Sequence, residues 1–257
     1  MPAEPQPVQQ SDVEMSIWDH LEELRHSVIR AVLGIVAGMI LCAVFTDWIL
    51  EEIILGPARK YAPKFQFITT EIYGQLELYM QIIIWGGVIV SFPYTIIQIW
   101  KFIEPGLHKH EKKYVRTISF YTVLSFVVGM VFSYYVLLPM TLNFASDFGT
   151  EFIKIMPDVH KYLSVFLMTI IISGIVFELP LISYFLGRLG ILTPPFMRHY
   201  RRHTIVVLLF VAAILSPGGN PLLQLILFIP LWVLFELSIF ACTLAARQRR
   251  KKESLSA

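Results

Sequence analysis

Three glutamates occupy positions where a carboxylate could bind a cationic or proton-carrying partner. Glu178 lies within the otherwise uncharged run 170–181, and a charge at the centre of a membrane span costs about 2.5–3.5 kcal/mol on insertion scales. It is therefore expected to face protein, a partner or water. Glu23 lies on the polar face of a helix predicted after the cap Ser16, and Glu111 lies among lysines. Both are candidate binding groups.

Each of these glutamates also has an ordinary explanation. Glu23 fits a solvated helix face in which Asp19, Glu23 and His26 follow helical spacing. Glu111 could pair with a neighbouring lysine, which contributes little at a surface. Glu178 could be hydrogen-bonded within a helix bundle. The residues alone leave these alternatives open.

Weaker candidates lie near the predicted membrane edges. Phe102 is apolar at the start of a basic loop, which suits an interfacial anchor as well as a binding role. Gln224 lies near the start of the last apolar block, where a lone amide is often an interhelical hydrogen-bonding group. Glu236 lies further along the same block.

Signals of catalysis are absent from the sequence. It has no HExxH, no GxSxG, no paired intramembrane aspartates and no phosphate-binding glycine loop. His108 and His110 lack the spacing and the Cys or Asp neighbours of a zinc site, and Cys42 and Cys242 lie in apolar blocks. The net charge of +2 is too small to argue for nucleic acid. We expect no enzyme activity, metal, cofactor or nucleic-acid partner.

The elements that must position these groups are membrane helices. Hydrophobic residues make up 56% of the chain and charged residues only 16%, against about 25% charged in soluble domains. The apolar residues form blocks of about 20 residues, which is the length that a helix needs to cross a bilayer. The composition predicts an all-α polytopic membrane protein with a cytoplasmic tail at 1–26, a membrane domain at 27–246 and a basic tail at 247–257. Six spans are predicted, at about 27–46, 78–100, 117–138, 162–187, 204–216 and 221–246.

The last two predicted spans are short. Block 204–216 reaches only about 20 Å as a helix, and the turn-forming residues from Ser216 to Pro221 join it to the last block as a hairpin. Pro230 interrupts that last block, and Pro180 predicts a kink beside Glu178.

Lys and Arg are distributed unequally between the predicted loops. Sixteen of the 21 fall on the side of the two termini and five on the other side, so the positive-inside rule predicts both termini in the cytoplasm. The polar first 26 residues place the first apolar block too far along for a cleaved signal, which predicts an uncleaved span. The external loops 47–77 and 139–161 carry aromatic and aliphatic residues that suit interfacial caps.

The order of short motifs along nearly the whole chain resembles the TatC subunit of the twin-arginine protein translocase. The family's HLxELR motif is matched at 20–25, its first-loop proline at Pro57, its F-[IV]-x-P-[AG]-L…E loop at 102–111, its intramembrane FE-[VL]-P at 177–180 and a second FE at 235–236. The chain departs from the family at 216–221, where the usual aspartate is absent, and at Ser27, where the family has a basic residue.

The resemblance implies a concave six-helix receptor in the cytoplasmic membrane, with no cofactor. It would bind the twin-arginine signal peptides of folded cargo, assemble with TatA-like and TatB-like single-span subunits, self-associate in a multimeric complex and use the proton gradient. The implied signal-peptide-binding residues are Glu23, Arg25, Phe102 and Glu111. Glu178 and Gln224 are the implied intramembrane polar or partner-contact positions, and Pro57 and Pro105 the structural ones.

Two alternatives remain open from the residues. A proton-coupled small-solute transporter could use Glu178 as a proton relay. A scaffold whose spans only hold partners would use the same residue for assembly.

Overall fold

A computed structural model describes the backbone of residues 17–104, 109–147, 155–216 and 220–256, and the side chains of 22–104, 117–147, 155–216 and 220–250. The predicted cap Ser16 and the predicted structural residue Pro105 lie outside the described residues. For Glu111 the described part is the backbone alone.

The regular secondary structure of the described chain is helical, apart from a single bridge between Ile68 and Asp158. Two short segments between α-helices are π-helix, which has wider turns, and these segments are labelled π1 and π2. The elements in order are α1 Ile17–Val44, α2 Thr46–Trp48, π1 Ile49–Ile54, α3 Leu55–Tyr61, α4 Gly74–Ile103, α5 Lys109–Phe132, π2 Ser133–Leu137, α6 Leu138–Asp147, α7 Val159–Phe177, α8 Leu179–Leu189, α9 Pro194–His199, α10 Arg201–Leu215 and α11 Pro221–Ser256.

Five segments of the described chain are long and apolar enough to cross a membrane, so the protein is a multi-pass membrane protein. They are Glu22–Val44, Gly74–Ile103, Thr117–Asp147, Val159–Leu189 and Pro221–Arg250. Helix α10 has 15 residues, which at about 1.5 Å per residue reaches about 22 Å. A hydrocarbon core of about 30 Å exceeds that length, so a sixth span stays a prediction.

The helices differ in extent from the apolar blocks of the sequence. The fourth segment is divided between α7 and α8 at Glu178, two residues before Pro180. Helix α11 continues through the basic residues after 246 as far as Ser256. The apolar block therefore marks the part of a helix that can lie in the lipid bilayer, whereas the helix itself extends into the polar residues that follow.

Helices α1 and α4 pack antiparallel through glycines. A Cβ on Gly38 would lie 2.6 Å from the carbonyl oxygen of Gly87, and one on Gly34 would meet the ring of Tyr94. Glycines four residues apart let two helix backbones approach closely in a membrane. The crossing fixes which part of α4 lies beside each end of α1.

The loop before α4 and the loop before α7 are hydrogen-bonded to each other. The Gln66 N–H donates to the Ile155 carbonyl at 3.3 Å, and the Val159 N–H donates to the Ile68 carbonyl at 2.9 Å. Tyr162 at the start of α7 donates its hydroxyl to the Ile54 carbonyl at 2.5 Å. These bonds fasten the start of α7 to the first loop, a pairing that the sequence did not predict.

Candidate functional site

Glu178 is buried where α7 ends and α8 begins. Its side chain is 6% exposed, and neither carboxylate oxygen has a hydrogen-bond partner among the described residues. Pro180 has no N–H to donate to the preceding turn, which weakens the helix here, and α7 ends at Phe177. The kink predicted at Pro180 therefore coincides with the break that places the carboxylate.

Hydroxyl groups and glycines hold the α7 side of this break against α5. The Ser173 hydroxyl donates to the Gly129 carbonyl at 3.0 Å, and the Ser125 hydroxyl donates to the Phe177 carbonyl at 2.6 Å. A Cβ on Gly129 would lie 2.9 Å from the Cα of Gly174. The backbone carbonyl of Phe177 thus has a hydrogen-bond donor from α5, whereas the Glu178 carboxylate has no hydrogen-bond partner among the described residues.

Helix α4 completes the surroundings of Glu178. The carboxylate lies against the backbone of Phe126, and the Phe126 ring stacks on Phe92 of α4 with centroids 3.6 Å apart and planes 15° apart. Glu178 is 11 residues from the end of α8 at Leu189, which is about 16 Å along the helix. This carboxylate therefore lies in the membrane interior, away from both ends of its span.

Glu23, in contrast to Glu178, lies near the end of its helix, beyond the α1–α4 crossing. Eleven residues separate it from Gly34, and eight separate Phe102 from Tyr94, the residue that Gly34 meets. At about 1.5 Å per residue, Glu23 and Phe102 lie about 16 Å and 12 Å beyond the same crossing point. The structure therefore brings two of the predicted binding residues to one end of the helix pair.

The Glu23 side chain is half-buried, and its Oε2 has no hydrogen-bond partner among the described residues. His26 follows Glu23 at helical spacing, but its Nδ1 lies 2.9 Å from the Glu22 carbonyl instead. Arg25 is exposed and Phe102 is half-buried. An unpartnered carboxylate oxygen at the end of a helix pair is suited to accept hydrogen bonds from a cationic ligand.

Glu104 is a residue that the sequence reasoning missed. It follows the last residue of α4 and is half-buried at the same end as Glu23 and Phe102. Glu104 falls at the unspecified position of the 102–111 motif, so the motif does not mark it, although it is an acid beside the basic residues of that loop.

The polar residues of α11 have partners inside the chain. The Gln224 side-chain amide donates to the Leu209 carbonyl of α10 at 2.9 Å. Glu236 forms an ion pair with Arg201 at 2.6 Å, between side chains 32% and 45% exposed. These contacts join α10 to α11, as expected for interhelical hydrogen bonds in a bilayer.

Pro57 is buried in α3, three residues after π1. A proline ring disturbs the turn before it because it clashes with the carbonyl four residues earlier. The carbonyl four residues earlier belongs to Ile53, which lies inside the wider π turn.

Asp158 was not predicted as important, yet it joins the loop before α4 to the start of α7. Its Oδ2 accepts from the hydroxyl and the N–H of Thr70 at 3.0 and 3.3 Å. Its Oδ1 accepts from the N–H groups of His160 and Lys161 at the start of α7. Desolvation by itself would raise the pKa of this carboxyl, but the hydrogen bonds, led by the Thr70 hydroxyl, outweigh it and lower the pKa.

Three comparisons relate the chain to known proteins. Residues 19–230 match the family described as Sec-independent protein translocase protein (TatC). The Sec-independent protein translocase protein TatC of Carboxydothermus hydrogenoformans is 34% identical over 229 residues, covering 89% of this chain and 93% of that protein. The protein of the same name from Aquifex aeolicus is 31% identical over 239 residues, covering 92% and 98%. A crystal structure described as the twin-arginine translocase receptor TatC superposes with a TM-score of 0.79 at 31% identity, covering 88% of this chain and 99% of that one.

Proposed function

The chain belongs to the TatC family of Sec-independent protein translocases, and from this premise we propose that it is the receptor for the twin-arginine signal peptides of folded cargo. The observation that carries the proposal is the half-buried Glu23, with an unpartnered oxygen, at the same end of the α1–α4 pair as Phe102. Nothing in the comparisons supports the alternative of a small-solute transporter.

The chemistry of the proposed ligand matches these residues. Each guanidinium of an arginine pair can donate two parallel hydrogen bonds to one carboxylate, so Glu23 and Glu111 would each hold one arginine. Phe102 would contact the apolar residue that follows the arginines. Arg25 belongs to the proposed site through its place in the HLxELR motif, and Pro105 would shape the loop that carries Glu111.

We place this site on the cytoplasmic side of the inner membrane. The proposal follows the excess of Lys and Arg in the loops beside it, which sets orientation in short loops. Helix α10 is then a sixth span, too short for an undisturbed bilayer. Both termini lie in the cytoplasm, and the membrane thins locally beside α10 at a cost of fractions of a kcal/mol per Å.

The proposed partners are TatA-like and TatB-like single-span subunits, together with further copies of this chain. Glu178 would offer a polar point within the membrane to a partner helix, because its carboxylate has no partner among the described residues. Gln224 would contribute a second contact with its carbonyl oxygen, since its amide group already bonds α10. Transport would draw on the proton gradient. A pure scaffold would use Glu178 in the same way but would not need Glu23.

Replacement of either binding carboxylate by its amide tests the proposal. Glu23→Gln or Glu111→Gln removes a charge-assisted interaction of about 1.5–3 kcal/mol, so crosslinking of a twin-arginine precursor in membrane vesicles should fall by at least tenfold. Loss of crosslinking with normal membrane insertion would distinguish the receptor from the scaffold.

The matched control is Glu22→Gln, an exposed acid one residue away, which should leave crosslinking unchanged. Unchanged crosslinking in both Glu23→Gln and Glu111→Gln would refute the site. An equal loss in the Glu22→Gln control would attribute the effect to net charge on α1.

A further inference from the structure

A cavity of about 250 Å³ lies between α11 and the α9–α10 corner. Arg198 of α9, Arg201 of α10 and Arg247 of α11 line it together with Glu236. Three guanidinium groups from three helices thus meet around one carboxylate. This cavity is distinct from the positions proposed above for signal-peptide binding.

The charges around the cavity do not balance. Arg201 is paired with Glu236 at 2.6 Å, whereas the side chains that the structure describes place no carboxylate within salt-bridge distance of Arg198 or Arg247. The Arg201 ion pair uses one terminal nitrogen, and a guanidinium carries five N–H donors. The cavity therefore has a net positive charge and unused donors from all three arginines.

One wall of the cavity is apolar. Glu236, Phe240, Thr243 and Arg247 follow one stripe of α11 at helical spacing, with Ile239 and Leu244 beside them. The Phe240 side chain is 61% exposed. A free inorganic anion would use the arginines and leave this wall unfilled, whereas an acyl chain would cover it.

The level of the cavity suits a lipid headgroup. Phe196 and Tyr200 beside it are 55% and 42% exposed, and exposed aromatic side chains concentrate at the membrane–water interface. Basic pockets between membrane helices on the cytoplasmic side bind phosphate-containing headgroups. Guanidinium forks match phosphate oxygens better than point charges do.

We propose that the cavity between α9, α10 and α11 binds the phosphate of an anionic phospholipid through Arg198, Arg201 and Arg247, with an acyl chain along Phe240 and Leu244. The lipid would lie beside the short helix α10. This inference does not depend on signal-peptide binding, so the two proposals fail separately.

The test is native mass spectrometry of the detergent-solubilised full chain, titrated separately with phosphatidylglycerol and with phosphatidylcholine of the same acyl chains. The unmodified chain should bind phosphatidylglycerol more tightly. The double variant R198Q/R247Q should bind phosphatidylglycerol about 25-fold more weakly. Each arginine near an anionic surface contributes about fivefold to the affinity. Its phosphatidylcholine affinity should change little. Arg201 is kept so that Glu236 is not left unpaired.

Two further variants control for charge and folding. R59Q/K60Q removes two positive charges from α3, far along the chain from the cavity, and should retain the preference. R198K/R247K keeps the charge but loses the planar fork, and should show an intermediate loss. An unchanged preference in R198Q/R247Q, or an equal loss in R59Q/K60Q, would overturn the proposal.

A competition arm distinguishes the source of the phosphate. Inorganic phosphate and glycerophosphoglycerol, which lack acyl chains, should displace phosphatidylglycerol only at concentrations at least a hundredfold higher. Displacement at comparable concentrations would overturn the lipid assignment and make the cavity a site for a soluble phosphate.

Discussion

Two polar side chains of helix α11 have partners inside the chain, whereas the carboxylate at the break between α7 and α8 has none among the described residues. Gln224 bonds the Leu209 carbonyl and Glu236 pairs with Arg201. Both oxygens of Glu178 lack a described partner although the residue is more deeply buried. A buried polar group without a partner lowers stability, so we expect Glu178 to serve a purpose other than the folding of the single chain.

The largest expected effect comes from replacing Glu178 by leucine. A buried polar group without a hydrogen bond costs about 1–3 kcal/mol, so Glu178→Leu should increase the free energy of unfolding by about that amount while reducing export of a twin-arginine substrate. Unfolding by sodium dodecyl sulfate from mild detergent, together with an export assay, measures both.

Gln224→Leu is the matched control for that experiment, because it removes a satisfied hydrogen bond. It should lower stability by about 0.6 kcal/mol, the average for hydrogen bonds between membrane helices. A loss of stability in Glu178→Leu would contradict the comparison, since it would mean that the carboxyl group forms a stabilising bond in the folded chain.

A smaller effect is expected at Asp158, the satisfied carboxylate outside the membrane. Its hydrogen bonds lower its pKa, so it stabilises the fold above its unfolded pKa of about 3.9, and this contribution is lost as the pH falls through the folded pKa. Asparagine has one side-chain oxygen, so Asp158→Asn can accept hydrogen bonds from only one of the two pairs of donors. It should lower the melting temperature at pH 7, and the gap to the unmodified chain should narrow as the pH falls from about 3.9 through the lower folded pKa.

Glu71→Gln provides the control for Asp158, because it removes an exposed acid from the same loop. Its melting temperature should follow the unmodified chain at every pH. If the gap between Asp158→Asn and the unmodified chain stayed constant from pH 7 to pH 3, the ionised carboxylate would not be the stabilising group.

The smallest effect is expected for the pair of Arg201 and Glu236. Because the two side chains are 45% and 32% exposed, water screens their attraction, and a double-mutant cycle should give a coupling of about 0.2–1 kcal/mol. The cycle uses Arg201→Gln, Glu236→Gln and the double variant in the same unfolding assay. A coupling several times larger would show that the pair is effectively buried, and would weaken the contrast with Glu178.

Much of this protein could be predicted from local sequence. The apolar blocks, the turn residues at 216–221 and the isolated charge of Glu178 are visible because helix length, hydropathy and proline effects are properties of neighbouring residues. The motif order was sufficient to indicate the TatC family, which the comparisons confirmed. The number of spans and their orientation remain proposals.

The tertiary structure decided which polar groups are paired. Glu236 and Arg201 are 35 residues apart, and Asp158 and Thr70 are 88 residues apart, so no local spacing could match them. Contacts at Gly34 and Gly38, which set the register of α1 on α4, are likewise a product of the tertiary structure. The sequence by itself identified Glu23 and Glu178 as unusual. Only the packed helices decided that these two carboxylates, unlike Glu236, have oxygens without a described partner in their own chain.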